Sequence, residues 1–341
     1  MRLTSGQINS QEAGKLNFTK VEGGGYRIGI PVPFPMQYVY CYLLPKEDAF
    51  VLIDTGYNYR KAREAWEEVF RELSLSPGRI EAIFVTHFHP DHSGLADWMQ
   101  NKTGAPVYMH TLDLQMMEQV WGEGSIQSQR IRVMAERHGV PETLSKEIAL
   151  HMDKMAETMR PLPSIQKLDH EPVFMGRQWK VLLTPGHSDG MFCLYEESTG
   201  TIFLSDLILD PITPNISVWP GTSQRPLHEY FESLEKIREL PINIAYTAHG
   251  NPIYHVKERI DELIKHHEKR LSAMETLADH STVYQIASAI FSHRKLNPHQ
   301  WRFAIAETIA HMHYLEEEGR VKHITDKHGA ITYQQNHQPA T

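Results

Sequence analysis

At 341 residues, 41% hydrophobic and 22% charged, the chain has the size and balance of an ordinary globular protein, one large α/β domain with room for a smaller appendage. Its net charge of −8 gives no general electrostatic reason to bind DNA or an anionic membrane, and its two cysteines, Cys41 and Cys193, imply no disulfide framework. No apolar run is long enough to span a bilayer and the opening MRLTSGQINSQEAGK lacks the apolar core of a signal peptide, so the cytoplasm is the expected compartment.

Residues 26–110 alternate between strand and helix signals. YVYCYLL (38–44) and FVLID (50–54) are β-rich, the second running into the turn Asp54-Thr55-Gly56. Tyr59 to Leu73 has helical spacing, with Ala62, Ala65, Trp66, Val69, Phe70 and Leu73 on one side. The strand IEAIFVT (80–86), a helix from about Gly94 to Lys102 and the strand PVYMH (106–110) follow.

Residues 111–165 change character: they read as helical almost throughout and hold Met116, Met117, Met134, Met152, Met155 and Met159. Strand signals return at WKVLLT (179–184), MFCLYEE (191–197), TIFLSD (201–206) and INIAYTA (242–248), with an amphipathic helix near 226–240. From Val256 the pattern is a long helix (256–279), a second (282–291) with Ser281 as N-cap, and a third from about His299 to Glu318, stopped by Gly319. RVKHIT and AITYQQ flank DKHG as a β-hairpin. Three helices and a hairpin make a winged-helix-like C-terminal domain over 256–341, after a catalytic region spanning 1–255.

The chemistry concentrates in VTHFHPDHSG (85–94). Histidines two apart on extended backbone point the same way, so His87 and His89 can share one metal. Asp91 and His92 lie in the turn beyond, where they can serve a second ion. Further ligands arrive at other strand ends: His187 after LLTPG, Asp206 after TIFLS and His249 after IAYTA. Five histidines and two aspartates suffice for two metals with a position left open for water. A bridging hydroxide forms near neutral pH because each ion lowers the pKa of bound water, from about 15.7 to about 7 in a favourable case.

His87-Phe-His89-Pro-Asp91-His92, then TPGHSDG, FLSD and AHG, resembles the metallo-β-lactamase superfamily over roughly residues 26–255. The resemblance implies a four-layer αβ/βα sandwich, with one metal on His87, His89 and His187, the other on Asp91, His92 and His249, and Asp206 bridging them. Asp54 matches a family position that supports the site from behind; capping of a strand exit is the alternative role for it. Members with a C-terminal winged helix include endoribonucleases, and others hydrolyse lactones or thioesters. The quorum-quenching lactonases carry a tyrosine three residues past the bridging aspartate; here Leu209 stands there, so no such proton donor is implied, and Asp210 nearby matches no motif.

The methionine-rich 111–165 segment has two readings, plain core or a lid over the metal loops that offers a pocket for an apolar group, with Trp121 as a wall. Ser188 and Asp189 read as turn formers, and His266, His267, His311 and His313 not as ligands. The C-terminal domain has no basic patch, and its third helix ends in Glu316-Glu317-Glu318, so packing on the catalytic region or homodimer formation is expected of it rather than DNA binding. The expected activity is hydrolysis of a small, partly apolar ester, lactone or thioester by a metal-held hydroxide that Asp91 orients. Zinc is the default ion, with iron, manganese and cobalt also suited to the ligand set. A metal-dependent endoribonuclease or phosphodiesterase is the second reading, and a binding module with an idle metal site the third.

Overall fold

The structure, a computed structural model, describes residues 17–336; the opening stretch read for a signal peptide lies outside them. Strands β1 (Asn17–Lys20), β2 (Tyr26–Pro31), β3 (Tyr38–Lys46) and β4 (Ala49–Ile53) form an antiparallel ladder. After α1 (Arg60–Glu72) the chain re-enters as β5 (Ile80–Phe84), parallel to β4. Short α2 (Pro90–Ser93) and α3 (Ala96–Thr103) lead to β6 (Val107–Met109). Three helices, α4 (Thr111–Trp121), α5 (Gln127–Arg137) and α6 (Glu142–Met159), then precede β7 (Ile165–Lys167), which completes a seven-stranded sheet in sequential order.

The hairpin β8 (Val173–Phe174) and β9 (Arg177–Gln178) opens the second half. Strands β10 (Lys180–Leu183), β11 (Phe192–Glu196) and β12 (Thr201–Ser205) are antiparallel; α7 (Pro226–Arg238) crosses to β13 (Ile244–Thr247), parallel to β12. This second sheet has four strands. Its β10, β12 and β13 all run the same way, so their carboxyl ends share one edge. The chain finishes with α8 (Val256–Leu277), α9 (Val283–Ile290), α10 (Pro298–Glu317) and the hairpin β14 (Val321–Thr325) and β15 (Ile331–Gln335).

Alternation along the strands explains the layers. Tyr42, Leu44, Val51, Ile53 and Phe84 of the first sheet pack against Phe192, Leu194, Phe203 and Tyr246 of the second, forming the core between the sheets. Their neighbours Cys41, Leu43, Leu52 and Ile83, and Cys193, Ile202, Leu204 and Ala245, face outward onto helices. Runs buried on both faces thus build an αβ/βα sandwich, as expected. Phe174 and Trp179 stack at 4.7 Å at the edge of the inter-sheet core.

The C-terminal elements continue the outer core, which extends through Ile260, Leu271 and Ile309 to Tyr333. Two starts differ in detail from the sequence reading. The N-cap of α9 is Thr282, not Ser281: Thr282 and Gln285 form a capping box, while the Ser281 carbonyl accepts from Tyr333 N at 2.9 Å on the hairpin. Helix α10 opens with Asn297 as cap, Pro298 at its first position and Gln300 closing another capping box. Among the described residues, no helix is long and apolar enough to cross a membrane.

His267 and His311 meet inside this region, His267 Nδ1 lying 3.1 Å from His311 Nε2, with no acid or third histidine forming a metal-sized group with them among the described residues. Burial holds the His311 imidazole down at about 3, so the folded state stays neutral where an unfolded histidine, near 6.5, would take a proton. Stability from this group is therefore complete above about pH 6.5 and is lost as pH falls towards 3. Between pH 7 and pH 5 the parent is expected to lose about 2 kcal/mol more than His311→Gln in urea unfolding. Parallel pH profiles for the two proteins would remove His311 from the acid response.

Candidate metal centre

Each site residue follows the carboxyl end of a strand. His87 and His89 lie beyond β5, Asp91 and His92 sit in the first turn of α2 behind Pro90, and His187, Asp206 and His249 follow β10, β12 and β13. The two sheets thereby deliver all seven residues to one edge. Gly186 and Gly250 make the last turns possible. Gly186 has φ +129°, and a Cβ there would lie 2.6 Å from the Tyr230 backbone; Gly250 has φ +81° and passes against the Asp210 carbonyl.

Three groups of side chains come within metal-sharing distance: His87, His89 and His187; His87, His92 and Asp206; and Asp91, His92 and His249, each with its ligand atoms within 4.8 Å of one another. Asp206 stands between the outer groups. Its Oδ2 is 3.5 Å from both His92 Nε2 and His187 Nε2, and its Oδ1 is 3.6 Å from His249 Nε2. Asp91 Oδ2 is 3.2 Å from His249 Nε2.

The rings are oriented from behind. His92 Nδ1 is 2.8 Å from Asp54 Oδ2, His187 Nδ1 is 3.0 Å from the Asn215 carbonyl, and His249 Nδ1 is 2.9 Å from the Tyr38 carbonyl. His87 Nδ1 meets Thr86 Oγ1 at 3.1 Å. Each contact turns the opposite nitrogen, Nε2, into the cluster. Asp54, at φ +58° where aspartate is tolerated, also accepts from Thr86 N and Thr86 Oγ1. Its contact with His92 gives it a ring to orient as well as a strand end to cap.

Four atoms of this cluster, His87 Nε2, His92 Nε2, His249 Nε2 and Asp206 Oδ1, are buried without a hydrogen-bond partner among the described residues. Buried polar atoms are normally paired, so four orphans facing one space fit bound cations. His89 Nδ1 and His187 Nε2, 2.9 Å apart, aim at the same space. The electrostatics agree. Burial, then neighbouring histidines, hold His87 well below the usual imidazole range, and burial lowers His89 and His187, leaving three neutral ligands. On the other side burial is overcome: Asp206, Asp54 and Asp91 raise His92, and Asp206 and Asp91 raise His249. Asp91 itself is held at about 2, burial losing to His92 and His249. The carboxylates therefore favour positive charge on this side of the cluster, as bound cations would supply.

Asp113 belongs to the site, although the sequence reading passed over it. It is fully buried in the first turn of α4 and accepts from Phe88 N at 2.9 Å, Ser188 Oγ at 2.8 Å and Gly190 N at 2.6 Å. Burial pushes its carboxyl up to about 7 against the pull of those three donors. The loop of His87 and His89 is thus tied to the loop of His187. Ser188 therefore does more than form a turn, while Asp189 accepts from Ser223 N at 2.9 Å.

A cavity of about 390 Å³ opens onto His89, Asp91, His187 and Asp206. Met116, Val120 and Trp121 of α4, Ile131 of α5, and Met152 and Met155 of α6 wall one side of it. These residues are also buried in the outer core, so the two readings of the methionine-rich segment hold together. Met117 and Met159 do not reach the cavity and are core alone; Met134 lines a different groove. Phe291, His299 and Phe303 also line it, so the C-terminal elements help enclose the site. Leu209 lines the cavity without a proton to give.

Comparison with known proteins agrees with this architecture. A family model described as the metallo-beta-lactamase superfamily matches residues 35–249, and one described as the metallo-beta-lactamase-like C-terminal domain matches residues 271–336. A metallo-beta-lactamase family protein of Thermus thermophilus superposes with a TM-score of 0.82 at 31% identity, over 93% of this chain and 99% of that one. The probable metallo-hydrolase YqjP of Bacillus subtilis is 27% identical over 85% of this chain and 92% of its own length. An atrochrysone carboxyl ACP thioesterase of Aspergillus fumigatus is 24% identical over 71% of this chain and 60% of its own.

Proposed function

The chain belongs to the metallo-β-lactamase superfamily and is a metal-dependent hydrolase, and we propose that it cleaves a small, partly apolar ester, lactone or thioester at a centre of two divalent ions. His87, His89 and His187 would hold one ion and Asp91, His92 and His249 the other, with Asp206 reaching both. Divalent ions so placed, zinc being the default for this donor set, acidify a coordinated water and polarise a carbonyl. The chain does the rest. Asp54 and the Asn215 and Tyr38 carbonyls fix the ring orientations, and Asp91, ionised and open to the cavity, accepts a hydrogen bond from the attacking water.

The observation that carries the substrate class is the cavity wall. Met116, Val120, Ile131, Met152 and Met155 offer adaptable apolar surface in the same cavity as Asp91 and His187. A chamber of about 390 Å³ between two sets of helices suits a small molecule better than a strand of RNA. A relative named as a thioesterase is consistent with this reading.

A chain-length series of acyl thioesters and lactones tests it. With metal-loaded protein, kcat/KM is expected to climb with acyl length. Met116→Ala and Met155→Ala should raise KM roughly tenfold for long chains and little for short ones. They are cleaner probes than Trp121, whose Nε1 donates to the Phe88 carbonyl and so also supports the histidine loop. If nothing in the series reacts while two ions are bound, the acyl reading is wrong and phosphodiesters take its place.

A further inference from the structure

The cavity wall carries a buried cation with no counter-charge. Arg302 of α10 is 8% exposed and lines the cavity; its guanidinium lies over the rings of Phe303, at 4.3 Å, and Trp219, at 5.0 Å. Its Nε is buried without a partner, and among the described residues the side chain makes no hydrogen bond or ion pair. The acids that share the cavity are engaged elsewhere. Glu307 is taken by Arg270 and by Asn215 Nδ2, and Asp91 and Asp206 face the histidines. His299 and His151, the titratable groups that feel Arg302, are both held below the usual imidazole range by burial and so are neutral. Exposed Arg294 at the same cavity adds charge of the same sign.

A largely buried guanidinium with neither acceptor nor anion in the protein, its Nε closed off altogether, is unfavourable, and two aromatic faces offset only part of that cost. Burial accordingly pushes its pKa down to about 9, with no carboxylate holding it up. Arginine's planar fork matches an oxyanion in two-point contact.

We propose that Arg302 is an anion-recognition residue, receiving a carboxylate or phosphate carried by the substrate at a point other than the bond that is cleaved. The inference rests on the acyl-hydrolase reading and narrows it: the substrate is apolar along its length, reactive at one point and anionic at another. Neither the metal-ligand motif nor the apolar wall calls for such a charge.

The test pairs substrates of equal length. The parent enzyme, metal-loaded, is offered an ω-carboxyacyl thioester, an ω-phosphorylated acyl thioester and an ω-carboxamide acyl thioester. The parent is expected to favour at least one anionic form by roughly tenfold or more in kcat/KM, and whichever leads identifies the headgroup. Arg302→Met should bring that ratio to about one, and Arg302→Lys should keep part of it. A parent ratio of one for both anions overturns the proposal, whatever the variants do.

A second readout is independent of hydrolysis. In calorimetry on the metal-free full chain, octanoate is expected to bind roughly tenfold tighter than octanamide, a difference that Arg302→Met, or Arg302→Gln if the first does not fold, should erase. Equal binding of the two probes by the parent, or a difference that survives in the variant, overturns it. If no thioester is cleaved but octanoate discrimination depends on Arg302, the acyl reading fails and the anion site stands.

Discussion

Asp91→Ala is expected to lower hydrolysis by roughly 10²–10⁴-fold while leaving the fold intact. The two halves of that expectation rest on different features of the cluster. For activity, Asp91 supplies the carboxylate of the Asp91, His92 and His249 group and opens onto the cavity. Without it His92 and His249 keep only Asp206, which serves the other ion as well, so this side should hold its ion more weakly, and the acceptor for the attacking water is lost. For stability, Asp91 and Asp206 are like charges that compete for His92 and His249, and each raises the cost of ionising the other. The pull of the histidines wins, since Asp91 is held at about 2, so its removal should cost metal-free protein about 1–3 kcal/mol at neutral pH, with Asp206 keeping both histidines. Metal content, thermal melting of stripped protein and kcat/KM, measured side by side, separate these effects. A variant with parental activity and two bound ions would take Asp91 out of the chemistry. One that melts far below the parent without metal would make it a structural residue.

What could be read in advance follows from how local each signal is. His87, His89, Asp91 and His92 lie within six residues, and a β-type run precedes each of His187, Asp206 and His249, so motif and strand signal sit together on the chain. The sheets were legible for the same reason, since Tyr42 and Cys41, or Phe203 and Leu204, are buried on opposite faces of continuous apolar runs. The six-residue β2 was not singled out, and strands β1, β7, β8 and β9 were not legible. They are two to four residues long and mostly exposed or half-buried, and their pairing depends on distant partners. Periodicity also could not separate Met116 from Met117. Helix α4 is apolar on the side facing the cavity and on the side facing the core, and adjacent residues look alike to a periodic pattern. Arg302, in a mostly apolar helix, gave no sign that its neighbours would be Trp219 and Phe303 rather than an acid.

Asp113 is the clearest case of a residue that only the fold explains, and its replacement should be the most destabilising change near the site. Asp113→Ala would leave Phe88 N, Ser188 Oγ and Gly190 N without their acceptor in a region closed to water. A buried donor left unpaired costs about 1–3 kcal/mol, and three that relax only in part should cost about 3–5 kcal/mol together. For a protein of this size that is a fall of about 4–7 °C in thermal midpoint. Asp113→Asn keeps the shape but turns a donor towards one of the three, so it should lose about 1–3 kcal/mol. The same contacts couple stability to the site, because Phe88 stands between His87 and His89, and Ser188 follows His187 directly. Both variants should therefore bind metal more weakly than their stability alone accounts for, with the alanine worse. Calorimetric unfolding of metal-free protein, paired with metal titration at a temperature where each variant is fully folded, decides between the outcomes. If Asp113→Ala melts with the parent, the three hydrogen bonds do not tie the loops. If it melts early yet titrates metal like the parent, the loops hold their histidines without it.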